Sequence, residues 1–154
     1  HKFVSSKNVN FFKKKIVKKT EKSIEISVVQ IIQELKFKNA IFKCDIEGSE
    51  YDILEDIINN HIKFNCILIE FHQIKNHIKR FKDLIKRLSH HYAIVHLHGN
   101  NHDPLIENIN IPSTLEVTFI KKELIKDNNY INKFPNQNLE VGIIISCESI
   151  KLQI

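Results

Sequence analysis

Apolar and polar residues follow two different periods along this chain, and the periods alternate in a regular order. Val28, Ile31, Ile32 and Leu35 recur at the three-and-four spacing of one helix face. Ser27 stands just before them and Gln30 three residues later, the pairing of a capping box, so a helix is predicted to open at Ser27. Residues 40–46 are a short, mostly apolar run and read as a strand. Ser49 is expected to cap a second helix, with Glu50 and Asp52 in its first turn, where acids suit the positive end of the helix dipole. Ile53, Leu54, Ile57 and Ile58 would form its buried face. A second strand is predicted at 66–72 and a third helix at about 76–88, with Ile78, Phe81, Leu84, Ile85 and Leu88 at helical spacing. Further strands are expected at 93–98 and 115–120.

Strands that alternate with helices of this length predict parallel βαβ units, hence an α/β fold. The continuous apolar stretch Ile67-Leu68-Ile69 suits a strand covered on both faces. No helical pattern separates the last strands, which predicts that the mostly parallel sheet carries an antiparallel edge. Residues 8–19 read as a strand or hairpin, its lysines on a solvated face. The stretch 128–154 contains Pro135, Gly142 and the apolar run 143–145, and no pattern places it; residues 123–154 are expected to be a C-terminal extension or a final edge strand. Residues 1–154 are read as a single domain.

Composition narrows this picture at three points. No apolar run reaches the roughly 18 residues of a membrane span, so no membrane partner is expected. The net charge of +5 comes from a sequence rich in Lys, Ile and Asn, with arginine only at positions 80 and 87. AT-rich coding produces that bias by itself, so the charge is not read as a nucleic-acid interface. Cys44, Cys66 and Cys147 are an odd, widely spaced set without a C-x-x-C pair, which predicts reduced thiols, a cytoplasmic location and no zinc site. The chain begins with His1 and contains no Met, so it is expected to be part of a longer, N-terminally extended one.

Ligands of open α/β sheets bind beyond the carboxyl ends of the strands, so the polar residues at those ends are the candidates. The first strand runs into Asp45, Glu47 and Gly48, the second into Glu70 and His72, the third into His96, His98, Asn100 and Asn101. Asp45 and Glu47 lie two apart, as do Glu70 and His72, and a strand's period of two would turn each pair to one side. Gly48 permits a sharp turn and a close ligand approach. A carboxylate beside an imidazole can make it a base near neutral pH. The three tips are expected to converge on one pocket. Each motif alone has an ordinary alternative: a strand–turn–helix corner, or a polar strand end meeting solvent.

The run Phe42-Lys43-Cys44-Asp45-Ile46-Glu47-Gly48-Ser49-Glu50, followed by Ile53-Leu54, resembles the K-x-D-x-E-G-x-E…L signature of FkbM-type methyltransferases. Leu68 to His72, His96 to Asn101 and Ile111 to Phe119 are similar to later segments of that family, and the resemblance covers roughly 24–122. It implies a class I (Rossmann-like) methyltransferase sheet, S-adenosylmethionine as methyl donor, and transfer to a hydroxyl of a sugar or similar small molecule. By carry-over, Asp45, Glu47 and His72 would be catalytic, removing or orienting the acceptor proton. Glu70, His98, Asn100 and Asn101 would shape the acceptor side, and Asp45 and Gly48 would border the donor. No metal is implied. Gly48, Gly99 and Gly142 are the only glycines, so the family's Gly-rich donor cradle is missing from this sequence. The chain by itself is therefore expected to bind S-adenosylmethionine weakly or not at all.

Two other readings compete. One is a non-catalytic α/β remnant or binding module. The other is a metal-dependent hydrolase built on His72, His96, His98 and Asp45.

Overall fold

The computed structural model describes residues 9, 11–100, 103–107, 109 and 111–126. Asn101, His102, Cys147 and the apolar run 143–145 lie outside the described residues.

A short parallel pair opens the described chain, β1 (Lys15–Ile16) against β2 (Glu25–Ile26). The segment read as a strand or hairpin thus contributes one brief strand whose partner arrives after a loop. Helix α1 (Val28–Leu35) begins as its sequence predicts: Gln30 N–H donates to the Ser27 hydroxyl, and Ser27 N–H donates to the Gln30 side chain. Then come β3 (Ala40–Cys44), α2 (Glu50–Asn59), β4 (Phe64–Phe71), α3 (Ile74–Leu88) and β5 (Tyr92–Gly99). A small antiparallel pair, β6 (Leu105–Ile106) with β7 (Ile111–Pro112), leads into β8 (Leu115–Lys121).

The main sheet has the order β3-β4-β8-β5. β3 and β4 are parallel, while β8 is antiparallel to both β4 and β5. Three strands therefore share one direction, as their alternation with helices predicts. The expected antiparallel edge needs correcting: the reversed strand lies inside the sheet, and β5 forms the edge. The physical reason is that β8 follows β5 without a crossover helix, so it must run back, and it does so in the slot beside β4, where both its edges gain hydrogen bonds. The sheet is mixed for that reason.

One face of the sheet is dry. Cys44, Ile67, Ile69, Phe71, Leu115, Val117, Phe119 and Leu97 are buried, and their registers place them side by side across the four strands. Leu54, Ile57, Ile74, Leu84 and Leu88 from α2 and α3 join the same core. α2 packs against α1, α3 and β4. The opposite face is more polar and open; Ile41 there is 71% exposed. Arg87 of α3 grips both carboxylate oxygens of Glu55 on α2, at 2.8 and 2.9 Å, and locks the two helices in register. At the sheet's far rim the buried Tyr92 hydroxyl sits 2.8 and 2.9 Å from the carbonyls of His61 and Phe64. No helix among the described residues is long and apolar enough to cross a membrane.

Candidate active site

The parallel strands deliver their carboxyl ends to one rim, and two of the three tips meet there. β3 stops at Cys44, two residues before the predicted end, so Asp45 and Glu47 lie in the turn beyond it. β4 likewise stops at Phe71, with His72 just past its end. The convergence therefore comes from turns rather than from strand pleating. Glu47 adopts a left-handed backbone with φ of 55°, and Gly48 follows at φ of 105°. A glycine suits the second position because a side chain there would be strained. Gln73, next to His72, also holds a positive φ of 52°. Non-glycine residues in this region cost energy and gather at functional sites.

These turns bring three carboxylates around one imidazole. His72 Nε2 lies 3.5 Å from Glu47, 3.7 Å from Glu70 and 3.9 Å from Asp45. The ring is only 12% exposed, whereas Glu47 is 84% and Asp45 45% exposed, so the imidazole forms the floor and the acids the lip. Behind the ring is Glu50, fully buried. Its carboxylate accepts the His72 N–H at 2.6 Å and the Gly48 N–H at 2.8 Å. Tyr51 completes the clamp by donating its hydroxyl to the His72 carbonyl at 2.7 Å. Arg80 in turn donates to the Tyr51 carbonyl and pairs with Asp52 at 2.8 Å. Ser49 stands at the N-cap of α2, but its side chain makes no capping bond. The Glu50 side chain reaches back to the turn instead.

Negative charge accumulates at this rim. Burial raises the Glu70 carboxyl above the usual range, and the Asp45 charge, the Glu116 charge and a hydrogen bond with Asp45 add to the rise, while His72 opposes it. Glu116 enters because β8 places it directly between Glu70 and His98 in register. Burial, with the Glu50 and Asp45 charges, pushes the Cys44 thiol up to about 12, which rules it out as a thiolate nucleophile near neutral pH.

The third tip lies apart. His98 pairs with Glu116, and Glu116 with Glu70, so β8 separates His98 from Glu70 by two strand spacings, roughly 10 Å of backbone. His96 pairs with Thr118 beyond a register shift in β5. Asn100 N–H donates to the Thr114 carbonyl at the same margin. His98 and Asn100 thus border a second stretch of the rim rather than the acid–imidazole cluster. Asn101, assigned to the same side, falls outside the described residues. Among the described residues, the one His/Cys/Asp/Glu group with ligand atoms close enough to share a cation is Asp45, Glu47 and His72. His96 and His98 do not join it, so the histidine set of the hydrolase reading is not assembled.

Sequence reasoning missed two residues of this site. Glu50 enters the sequence reading as a first-turn acid and as the last Glu of the family signature, without a role in the site, and the signal that could have found it is its place two residues after Gly48, at a turn from which its carboxylate can reach back. Glu116 could not be found without knowing that β8 slots between β4 and β5.

A mixed α/β domain that collects acids and an imidazole beyond the carboxyl ends of adjacent parallel strands has the layout of a candidate ligand site. The comparison with protein families gives that layout a name: the model of the methyltransferase FkbM domain matches residues 3–101, well over half of the chain, and the chain belongs to that family. The match includes Asp45, Glu47, Gly48, Glu50, Glu70 and His72 and stops before β8. No curated protein and no solved structure matches the chain significantly.

Proposed function

We propose that this chain carries the proton-handling half of an S-adenosylmethionine-dependent O-methyltransferase site, acting on a hydroxyl of a sugar or similar small molecule. The observation that carries this reading is the cluster of Asp45, Glu47 and Glu70 around His72 Nε2 at the rim of the sheet. In this reading the four strands are the carboxyl-terminal part of a class I sheet.

The donor, when bound, supplies an electrophilic methyl group on a sulfonium sulfur. Its positive charge suits this rim, where Asp45, Glu47 and Glu70 stand together around His72. Asp45 and Gly48, in the turn after β3, are the residues that would border it; Gly48, with no side chain, leaves the approach open. The acceptor hydroxyl loses its proton as the new C–O bond forms and the methyl–sulfur bond breaks. His72 Nε2 receives that proton, and Glu47 and Glu70 stabilise the resulting imidazolium across the 3.5 and 3.7 Å gaps. Asp45 orients the hydroxyl. His98 and Asn100, farther along the rim, would meet the remote part of a larger acceptor.

The test supplies labelled S-adenosylmethionine in large excess, to offset weak donor binding, with a panel of hydroxylated acceptors. Label arriving on oxygen in the wild type and lost in Asp45→Asn is the expected outcome. Label arriving only on nitrogen or carbon, or transfer indifferent to that substitution, would overturn the reading.

A further inference from the structure

Glu50 exposes none of its surface, yet it is the first residue of α2 and could have pointed into water, as acids at helix starts usually do. A buried carboxylate persists where hydrogen bonds replace its lost hydration. The Gly48 and His72 N–H groups supply two of them, one to each oxygen. A structural staple closing the turn would need no more than that. The geometry holds a third element, however. His72 Nδ1 is shut off from solvent and makes no hydrogen bond of its own, and it faces Glu50 Oε1 at 3.5 Å. The other ring nitrogen faces the three acids of the rim.

We propose that Glu50 is a positioning residue: it holds the neutral His72 ring in the tautomer with its proton on Nδ1, leaving the Nε2 lone pair directed at the rim. The two sides of the ring differ in hydration. Water and salt weaken the pull of Glu47, Asp45 and Glu70, which are 84%, 45% and 23% exposed. Glu50 has no such screening. A lone pair on Nδ1 would oppose its charge across 3.5 Å of dry contact, whereas a proton there is attracted. The single proton of the neutral ring therefore sits at Nδ1. The second site, Nε2, is the one that can take up a proton and release it. The clamp on the His72 backbone, Glu50 on its N–H and Tyr51 on its carbonyl, keeps the ring from swinging away from this alignment. The use made of that proton rests on the methyl-transfer reading; the tautomer does not.

Long-range proton–nitrogen correlation spectra of the ¹⁵N-labelled chain, recorded as the pH is raised until they no longer change, distinguish the two neutral tautomers from the doubly protonated ring and report each histidine's form directly. His72 is assigned by the signals lost in His72→Gln. The expected wild-type spectrum shows the Nδ1–H form, and Glu50→Gln shifts the population several-fold toward Nε2–H with the other histidines unmoved. A wild-type ring already in the Nε2–H form sinks the proposal whether or not any variant folds. A folded Glu50→Gln chain with the wild-type tautomer sinks it as well. Neither donor nor acceptor is present in this measurement, so failure of the methyl-transfer reading shows itself separately, in the labelling assay.

Discussion

Glu55 and Glu70 sit on consecutive elements of the same core, and the fold treats them in opposite ways. Glu55, on α2, is held by both arms of the Arg87 guanidinium, and those hydrogen bonds draw its carboxyl below the usual range. Glu70, at the end of β4, has Asp45 and Glu116 beside it, and burial with those charges lifts its carboxyl above that range. Glu55 has its counter-charge at hand; Glu70 stands among other acids. Unsettled charge is costly, and sites that move protons are where it is kept. On the proposed reading, the two glutamates mark the difference between a scaffold and a site.

The strongest way to break this contrast is to remove a group from each side and measure turnover. His72→Ala takes away the proton acceptor of the proposed reaction and is expected to lower kcat by about 10²–10⁴-fold, the usual worth of a positioned acid–base group. Arg87→Ala removes a cation from the α2–α3 seam and is expected to leave kcat near the wild-type value. Labelled-methyl transfer compares the two. Equal losses would mean that rim and seam are a single cooperative structure, and the division would be wrong.

How much of that division the sequence reveals depends on what each feature rests on. The capping box at Ser27, the helices at Val28–Leu35, Glu50–Asn59 and Ile74–Leu88, and the shared direction of β3, β4 and β5 all follow from local periodicity and from alternation. Asp45, Glu47, Glu70 and His72 were legible as a group because a parallel sheet sends its polar tips to one rim. Two things were not legible. The slot taken by β8 is a choice among edges of similar local pattern, decided by tertiary packing, and it moves His98 away from His72 while bringing in Glu116. The inward turn of Glu50 reverses what a first-turn acid ordinarily does, and only the left-handed turn at Glu47 and Gly48 makes room for it.

A smaller effect sharpens the scaffold side. A double-mutant cycle on Glu55→Gln and Arg87→Ala, read from denaturant unfolding, is expected to give a coupling of about 0.5–1 kcal/mol, the range for a partly exposed bidentate pair. The coupling should shrink as salt is added. Its pH dependence has a definite sign. A carboxyl lowered in the folded state contributes stability that is whole above its ordinary value of 4.5 and is lost as pH falls through the folded value. A coupling that persists unchanged in strong acid would show that the guanidinium acts by packing rather than by charge.

Glu70 should behave in the mirror sense, and its effect is the smallest because His72 opposes the rise. A carboxyl raised in the folded state contributes stability that is whole below 4.5 and is lost as pH rises through the folded value. Once ionised, Glu70 is therefore a net cost to the fold. Glu70→Gln removes that cost while keeping the shape of the side chain. The variant should unfold at the same denaturant concentration as the wild type below pH 4.5, and then pull ahead as the pH rises, levelling off once the wild-type carboxyl is fully ionised. Parallel unfolding midpoints across the pH range would mean that His72, 3.7 Å away, cancels the effect of burial and of the Asp45 and Glu116 charges on Glu70; a wild type that pulls ahead instead would place Glu70 with Glu55, and the rim would then be no different in kind from the seam.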